Sequence, residues 1–258
     1  MLKRLIQHLA IKGGHIIVPL DRFYDLRRKE SYKPAETPFN EHLKQVFSLT
    51  GVDCVLDVGA NDGAYAESLR QEVGYEGWIH SFEPVPERQE ELMRKAEKDP
   101  RWIIHRCAIG AEKGEAEINV MALDVFSSFL TPDPNQPAKY DISNKVARKV
   151  KVPVRTISEM LPEILKQQGL ESPRVYLKSD TQGFDLQVFK GAKEALPHIV
   201  ALQSELTFRP IYQNAPDWRT LVDAFAAEGF EPSFLLPISF DDRLAILEAD
   251  GIFVKKPR

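Results

Sequence analysis

The stretch Val55-Leu-Asp-Val-Gly-Ala-Asn-Asp-Gly63 limits this chain more than any other: an apolar run breaks into a glycine-spaced turn, and an amphipathic segment follows. Phe82-Glu83-Pro84 closes the next apolar run, Trp78-Ile79-His80-Ser81-Phe82. That order predicts a strand, a nucleotide-binding turn and a helix, with Glu83 one strand later as the acid that chelates ribose hydroxyls in doubly wound α/β sheets. Gly59 and Gly63 lack side chains, so backbone N–H groups there can approach a ligand while the chain reverses into the helix.

The spacing also says what the ligand is not. A dinucleotide fingerprint reads Gly-x-Gly-x-x-Gly, whereas this turn reads Gly59-Ala60-Asn61-Asp62-Gly63, with Asn61 where a glycine would admit a pyrophosphate. A ligand with a ribose and no phosphate fits better. S-adenosylmethionine is such a ligand: its adenosine can use Glu83, and its methionine end the polar turn and Asp57. An ordinary strand-turn-helix reads the same way locally, and the downstream acid argues against it.

With 258 residues, 43% of them hydrophobic, the chain can bury a core as one large α/β domain or a domain with an appendage. A net charge of -4 lacks the basic footprint of non-specific nucleic-acid binding, so no nucleic-acid partner is expected. Cys54 and Cys107 fall in predicted strands without a CxxC or Cys/His spacing. They read as buried free thiols of a reducing, cytoplasmic compartment, with no zinc site.

Residues 1–40 read as a helical and connector segment ahead of a domain at 41–258. Leu2, Leu5, Ile6 and Leu9 recur at helical spacing with Lys3, Arg4 and His8 among them, and Lys12-Gly13-Gly14 cuts the run short of a secretory signal. Residues 1–12 suit packing on the domain or a partner, or weak contact with a membrane surface. No later stretch reaches the roughly 20 apolar residues of a membrane span. Residues 21–40 read as a polar connector into a helix near 40–49.

From Gly51 the pattern alternates. Strands are expected at 53–58, 78–82, 102–107, 174–179 and 199–205, and helices at 63–73, 86–98, 157–169 and 185–195. A helix near 218–228, a strand near 232–236 and a last strand near 251–255 follow, the last two as an edge hairpin joined through 237–248. The fold class is therefore α/β: a Rossmann-like, mostly parallel seven-stranded sheet with helices on both faces and a closing antiparallel hairpin. An insertion at about 110–173, between strands 3 and 4, carries strand patterns at 116–120 and 150–156, and a connection of that length has a use. It is placed to wall a substrate pocket at the strand ends. Its basic run, Lys145, Arg148, Lys149, Lys151 and Arg155, suits either an anionic substrate or a solvated strand face.

A second cluster follows the fourth strand, Tyr176-Leu-Lys-Ser-Asp-Thr-Gln-Gly-Phe-Asp185. Asp180 is expected at the strand's carboxyl end, where Asp57, Glu83 and Asp180 converge on one rim and Glu205 arrives from the fifth strand at the same height. Asp180 and Glu205 are the catalytic candidates, Asp180 as the group that accepts a hydroxyl proton or orients the acceptor. A free aspartate with a pKa near ~3.9 is a weak base, so burial or a neighbour such as Glu205 should raise it. In-line positioning is the alternative source of rate. The same carboxylates suit Mg²⁺, although no spacing specifies a cage.

These residues together resemble the FkbM-type S-adenosylmethionine-dependent methyltransferases. The resemblance rests on Val55 to Gly63, Phe82-Glu-Pro84, Cys107-Ala-Ile-Gly110 with Gly114, and Leu177 to Asp185 running into Val188-Phe-Lys-Gly-Ala192. It covers about residues 40–255 and implies the class I methyltransferase fold. It also implies O-methylation of a sugar, glycan precursor or polyketide hydroxyl in a bacterial pathway. By that resemblance Asp57, Gly59, Ala60, Asn61 and Gly63 hold the methionine part, Glu83 and Pro84 the ribose, and Ala108 the adenine, while Ser128 and Asp180 border the reacting centre. The family often carries an acid in an Asp-x-Glu-Gly position, and Gln182 stands there here, which weakens any role for that position as a base or metal ligand. The partner expected is a small-molecule or glycan acceptor, with homo-oligomerisation left open. Two other readings remain: a nicotinamide-dependent oxidoreductase, disfavoured by Asn61 and the lack of a catalytic Tyr-x-x-x-Lys, and a non-catalytic scaffold that has kept the fold.

Overall fold

A central parallel strand must be apolar on both faces, and β1 (Cys54–Val58) is buried along its whole length. Cys54, Leu56 and Val58 pack on one face with Ile157, Leu161 and Phe189, and Val55 on the other with Leu43, Leu69 and Leu92. The computed structural model describes residues 36–256, so segment 1–12 and most of the connector 21–40 lie outside the described residues.

Helix α1 (Glu36–Thr50) precedes β1, and α2 (Ala64–Ser68, continued by a π turn to Val73), β2 (Trp78–Phe82), α3 (Pro86–Ala96) and β3 (Trp102–His105) follow it. Then come β4 (Ala108–Ile109), β5 (Gly114–Met121), β6 (Val146–Arg155), α4 (Ile157–Gln168) and β7 (Val175–Ser179). The order ends with α5 (Asp185–Gly191), β8 (Ile199–Thr207), α6 (Trp218–Ala227), β9 (Phe230–Phe240) and β10 (Ile246–Lys255). Seven strands form one sheet, β3-β2-β1-β7-β8-β10-β9, in which β10 runs antiparallel to both neighbours and the other pairings are parallel.

Local chemistry sets the helices. In α4, Thr156 caps the first turn by accepting a hydrogen bond from Glu159 N at 3.1 Å. Ile157, Met160, Leu161 and Ile164 then recur at helical spacing and are all buried. Burying each such side chain is worth about 1.5–3 kcal/mol.

Three expectations need correction. The third strand ends at His105, and Cys107 lies in a bend before β4, although both cysteines are buried. The closing hairpin is longer than its apolar core: β9 and β10 reach Phe240 and Ile246, so the joining loop is 241–245. Pro232 and Pro237 hid this, but an edge strand tolerates proline because its outer N–H groups face no ladder. The insertion is not merely two strand patterns in a loop. β5 and β6 pair antiparallel, and β4 joins β6 in a separate three-stranded sheet, order β4-β6-β5.

The register fixes the rim. Val58 lies opposite Phe82 on one side and Ser179 on the other, and Ser179 opposite Ser204. The next residues, Gly59, Glu83, Asp180 and Glu205, therefore stand at one level, the first three just past the carboxyl ends of β1, β2 and β7 and Glu205 within β8, which runs on to Thr207.

Candidate functional site

The turn after β1 is built on a left-handed backbone. Gly59 has φ +76°, and a Cβ there would sit 1.9 Å from the carbonyl oxygen of Asp180, so only glycine lets the loops after β1 and β7 touch. Asn61 is also left-handed, at φ 48°. Most of the turn's N–H groups are spent within the protein: Gly59 N and Ala60 N donate to Phe82 O at 3.1 and 3.2 Å, and Gly63 N to Ala60 O at 2.9 Å. Asn61 N donates to Glu83 Oε2 at 2.9 Å. Ala60 is buried. At Gly63 a Cβ would come within 2.8 Å of Leu92 and Trp102, which makes that glycine a packing residue between α2 and the elements beside it. The turn is no phosphate cradle.

Glu83 is almost fully buried, and its Oε1 accepts from Val85 N at 2.8 Å. Burial pushes its pKa up to about 7, against the pull of the Val85 and Asn61 N–H groups. A carboxylate offers about four lone-pair sites, so two protein donors leave room for two hydroxyls.

Asp57 is not on the rim, a correction to the expected convergence of three carboxylates. Its side chain points into the helix-covered face of the sheet with no exposure. Its cross-strand neighbours are Ser81 and Lys178, and Lys178 lies opposite Gln203, so one buried polar row crosses β2, β1, β7 and β8. Ser81 Oγ donates to Asp57 Oδ2 at 2.9 Å and Lys178 Nζ stands 3.1 Å from Oδ1. Lys178 Nζ also donates to Gly59 O at 3.1 Å and lies 3.8 Å from Asp180 Oδ2. Burial opposes the lysine's charge, yet Asp57 and Asp180 outweigh it and raise its pKa. Asp57 thus acts on the turn from beneath, through Lys178.

Above the rim lies a cleft of about 770 Å³ including its open mouth. Glu83, Pro84, Ala108, Ser128 and Asp180 all line it, as do Gly59 and Asn61; Asp57, Ala60, Gly63 and Glu205 do not. Phe82, Val85, Ile109, Ile118 and Phe129 give it an apolar section beside Glu83. Ser128, from the insertion, donates through Oγ to Gln182 O at 2.8 Å, which ties the insertion to the loop after β7. Thr181 Oγ1 is buried there without a protein partner. An acid with spare lone pairs, an apolar section and an orphaned hydroxyl fit a nucleoside carrying a polar tail.

Asp180 is 44% exposed, a correction to its expected burial. Glu205 is buried instead, and burial, then the nearby Asp180 and Glu248 carboxyls, raise its pKa well above the usual range. Gln182 separates the two, its Nε2 donating to Asp180 Oδ1 at 3.2 Å and Glu205 Oε2 at 3.1 Å. Tyr212 Oη, 2.9 Å from Gln182 Oε1, orients that amide. Asp185, raised in pKa chiefly by burial, accepts from Ser179 Oγ at 2.5 Å and Thr181 N at 3.2 Å and braces the same loop. Lys178, Tyr212, Arg88 and Asp124 were not read as site residues. For Lys178 the signal was a lysine inside the apolar run Val175–Ser179; the other three carry none, because folding alone brings Arg88 and Asp124 to the cleft and Tyr212 against Gln182.

Most of the basic run proves to be a paired surface. Arg148 bridges to Glu87 at 2.7 Å, Lys149 to Glu117 at 3.0 Å, Lys151 to Glu115 at 2.6 Å and Arg155 to Glu159 at 2.8 Å. Cations already matched by carboxylates on the same face do not make an anion site. Among the described residues there is no group of three or more His, Cys, Asp or Glu side chains arranged for a metal ion, and no helix long and apolar enough to cross a membrane.

A family model described as the methyltransferase FkbM domain matches residues 57–232. None of the curated proteins compared matches the chain. Among solved structures, a methyltransferase FkbM from Methylobacillus flagellatus KT superposes with a TM-score of 0.50 at 16% identity, over 78% of this chain and 43% of that one. The chain therefore spans under half of that relative's length, and the likeness is one of fold, the class I methyltransferase sheet. Aeropyrum pernix fibrillarin with natively bound S-adenosyl-L-methionine gives a TM-score of 0.42 at 12% identity, over 81% of this chain and 73% of that one. Burkholderia thailandensis 1,6-didemethyltoxoflavin-N1-methyltransferase, with its substrate and S-adenosylhomocysteine bound, gives 0.43 at 10% identity, over 92% and 84%.

Proposed function

We propose, from the premise that the chain belongs to the methyltransferase FkbM domain family, that it is a cytoplasmic S-adenosylmethionine-dependent O-methyltransferase acting on a hydroxyl of a sugar, glycan precursor or polyketide-type metabolite. The observation that carries the cofactor assignment is Glu83: a carboxyl at the rim, level with Gly59, whose oxygens keep lone pairs free beside an apolar section of the cleft. A nicotinamide dinucleotide is disfavoured because the N–H groups of Gly59, Ala60, Asn61 and Gly63 are already bonded within the protein.

In this reading Glu83 holds the ribose, and Val85, Ala108, Ile109 and Phe129 sandwich the adenine. Gly59, Asn61 and Asp180 face the amino-acid end, with Lys178 fixing the turn from below. The cofactor, when bound, supplies an electrophilic methyl group. Asp180 is the residue that orients the acceptor hydroxyl and takes up its proton, with Lys178 and Gln182 addressing separate oxygens of its carboxylate. Glu205 touches Asp180 only through the Gln182 amide and serves to hold it.

Mass spectrometry of co-purified ligand, then a methyl-transfer screen over sugars and glycosylated metabolites, tests the assignment. Glu83→Ala should abolish S-adenosylhomocysteine binding in calorimetry, and Asp180→Ala should keep binding and lose turnover. Tight binding of NAD with none of S-adenosylhomocysteine would reverse the assignment.

A further inference from the structure

The insertion reaches across the mouth of the cleft. Asp124, Val125, Ser127, Ser128 and Phe129 line one wall from the strap 122–130, and Arg88 of α3 lines the other. The strap's base is tied down: Ala122 N donates to Lys145 O at 2.7 Å, Leu123 N to Ser143 O at 3.0 Å, and Asn119 and Ser128 exchange two backbone bonds. Its tip is the single turn Asp124–Phe126, in which no side chain is buried. Tyr212 Oη holds the Phe126 carbonyl at 2.6 Å, at the far end of that turn. Across the cleft the tip meets α3 through Arg88, whose guanidinium pairs with Asp124 and, at 2.8 Å, with Glu91.

We propose that the Arg88–Asp124 ion pair is the latch of an entry gate, which sets how fast the adenosyl ligand enters and leaves the cleft. The inference rests on reading this cleft as the S-adenosylmethionine site. A nucleoside must pass between the strap and α3, so the pair breaks and reforms at each exchange, once per turnover. Both side chains are about one-third exposed or less, 30% and 26%, which leaves the pair open to screening by salt. A partly exposed pair is weak, so its loss should change rates by about two- to fivefold rather than by orders of magnitude. Because the latch closes over the empty and the filled cleft alike, opening it speeds entry and exit together and leaves affinity nearly unchanged.

The test follows release of tritiated S-adenosylhomocysteine from the full chain in a chase experiment, with Kd measured separately. Asp124→Asn and Arg88→Gln should each release about two- to fivefold faster with Kd within about twofold of wild type. The exchanged pair, Arg88→Asp with Asp124→Arg, should restore the slow rate. In 1 M NaCl the unaltered protein should approach the rate of the single variants, an arm that needs no substitution. Wild-type rates in both single variants and no salt effect would overturn the latch. A rise in Kd matching the rise in release, with entry unchanged, would also overturn it, by marking the side chain as a ligand contact. If the unaltered protein binds no S-adenosylhomocysteine, the cofactor assignment itself falls, and the gate with it.

Discussion

With Glu83 holding the ribose, as proposed, ligand affinity should depend on pH. Its carboxyl is 5% exposed, and burial pushes its pKa to about 7 from 4.5, although Val85 N and Asn61 N donate to it. A ribose diol donates to a carboxylate more strongly than to a neutral acid, since charge-assisted bonds are about twice as strong. If the ionised form alone binds, the bound-competent fraction is about nine-tenths at pH 8 and about one-tenth at pH 6, so S-adenosylhomocysteine should bind about tenfold more weakly at pH 6. Isothermal titration in buffers of different ionisation enthalpy should show release of about half a proton at pH 7. The same shift acts on stability with a definite sign. A carboxyl raised on folding favours its protonated form, so its contribution is present below pH 4.5 and is lost as pH rises through about 7, a cost of about 3 kcal/mol to the ligand-free protein. Glu83→Gln removes both effects. A Kd that stays flat between pH 6 and 8, or an equal slope in Glu83→Gln, would refute the reasoning.

Gly59→Ala should lower Tm and weaken S-adenosylhomocysteine binding by more than about tenfold, because the added Cβ falls 1.9 Å from Asp180 O at a φ of +76°; wild-type melting and calorimetry would show that the two loops can part freely. His80 and His105, 2.9 Å apart between ring nitrogens, are held neutral by burial, with pKa values lowered to about 3 and about 4. Neutral histidine favours the fold here, so its contribution should be intact above pH 6.5 and fall as pH drops towards 4, by about 2–3 kcal/mol at pH 4.5 for His80; because Glu83 trends the opposite way, the check is the difference from His80→Asn, and the same stability change between pH 7 and 4.5 in both proteins would contradict this. Lys178→Met leaves Asp57 as a buried unpaired charge and should cost about 3–5 kcal/mol. Pairing it with Asp57→Asn should recover most of that loss in urea unfolding, and no recovery would separate the two residues energetically.

The alternation of the core strands and helices and the turn after β1 were legible in the sequence because each is local. A five-residue apolar run and a glycine at a left-handed position act on their own neighbours, whatever the rest of the chain does. Glu83 and Asp180 were legible for the same reason: each stands at the end of its own strand run, and parallel strands in register bring those ends level. Tertiary structure decided the rest. Asp57 sits inside β1, two residues before the rim at Gly59, with its carboxylate on a lysine and a serine supplied by the strands on either side. The basic run of β6 is neutralised by glutamates of β5, α3 and α4, distant in sequence or set by strand pairing. Arg88 and Asp124, or Gln182 and Glu205, meet through register and the path of the insertion. The sequence by itself determined where β1, β2 and β7 end and which residue follows each, because that depends on spacing along one segment. Which side chains share a proton, a charge or a cleft wall depends on residues tens of positions apart in the chain, and only packing sets those distances.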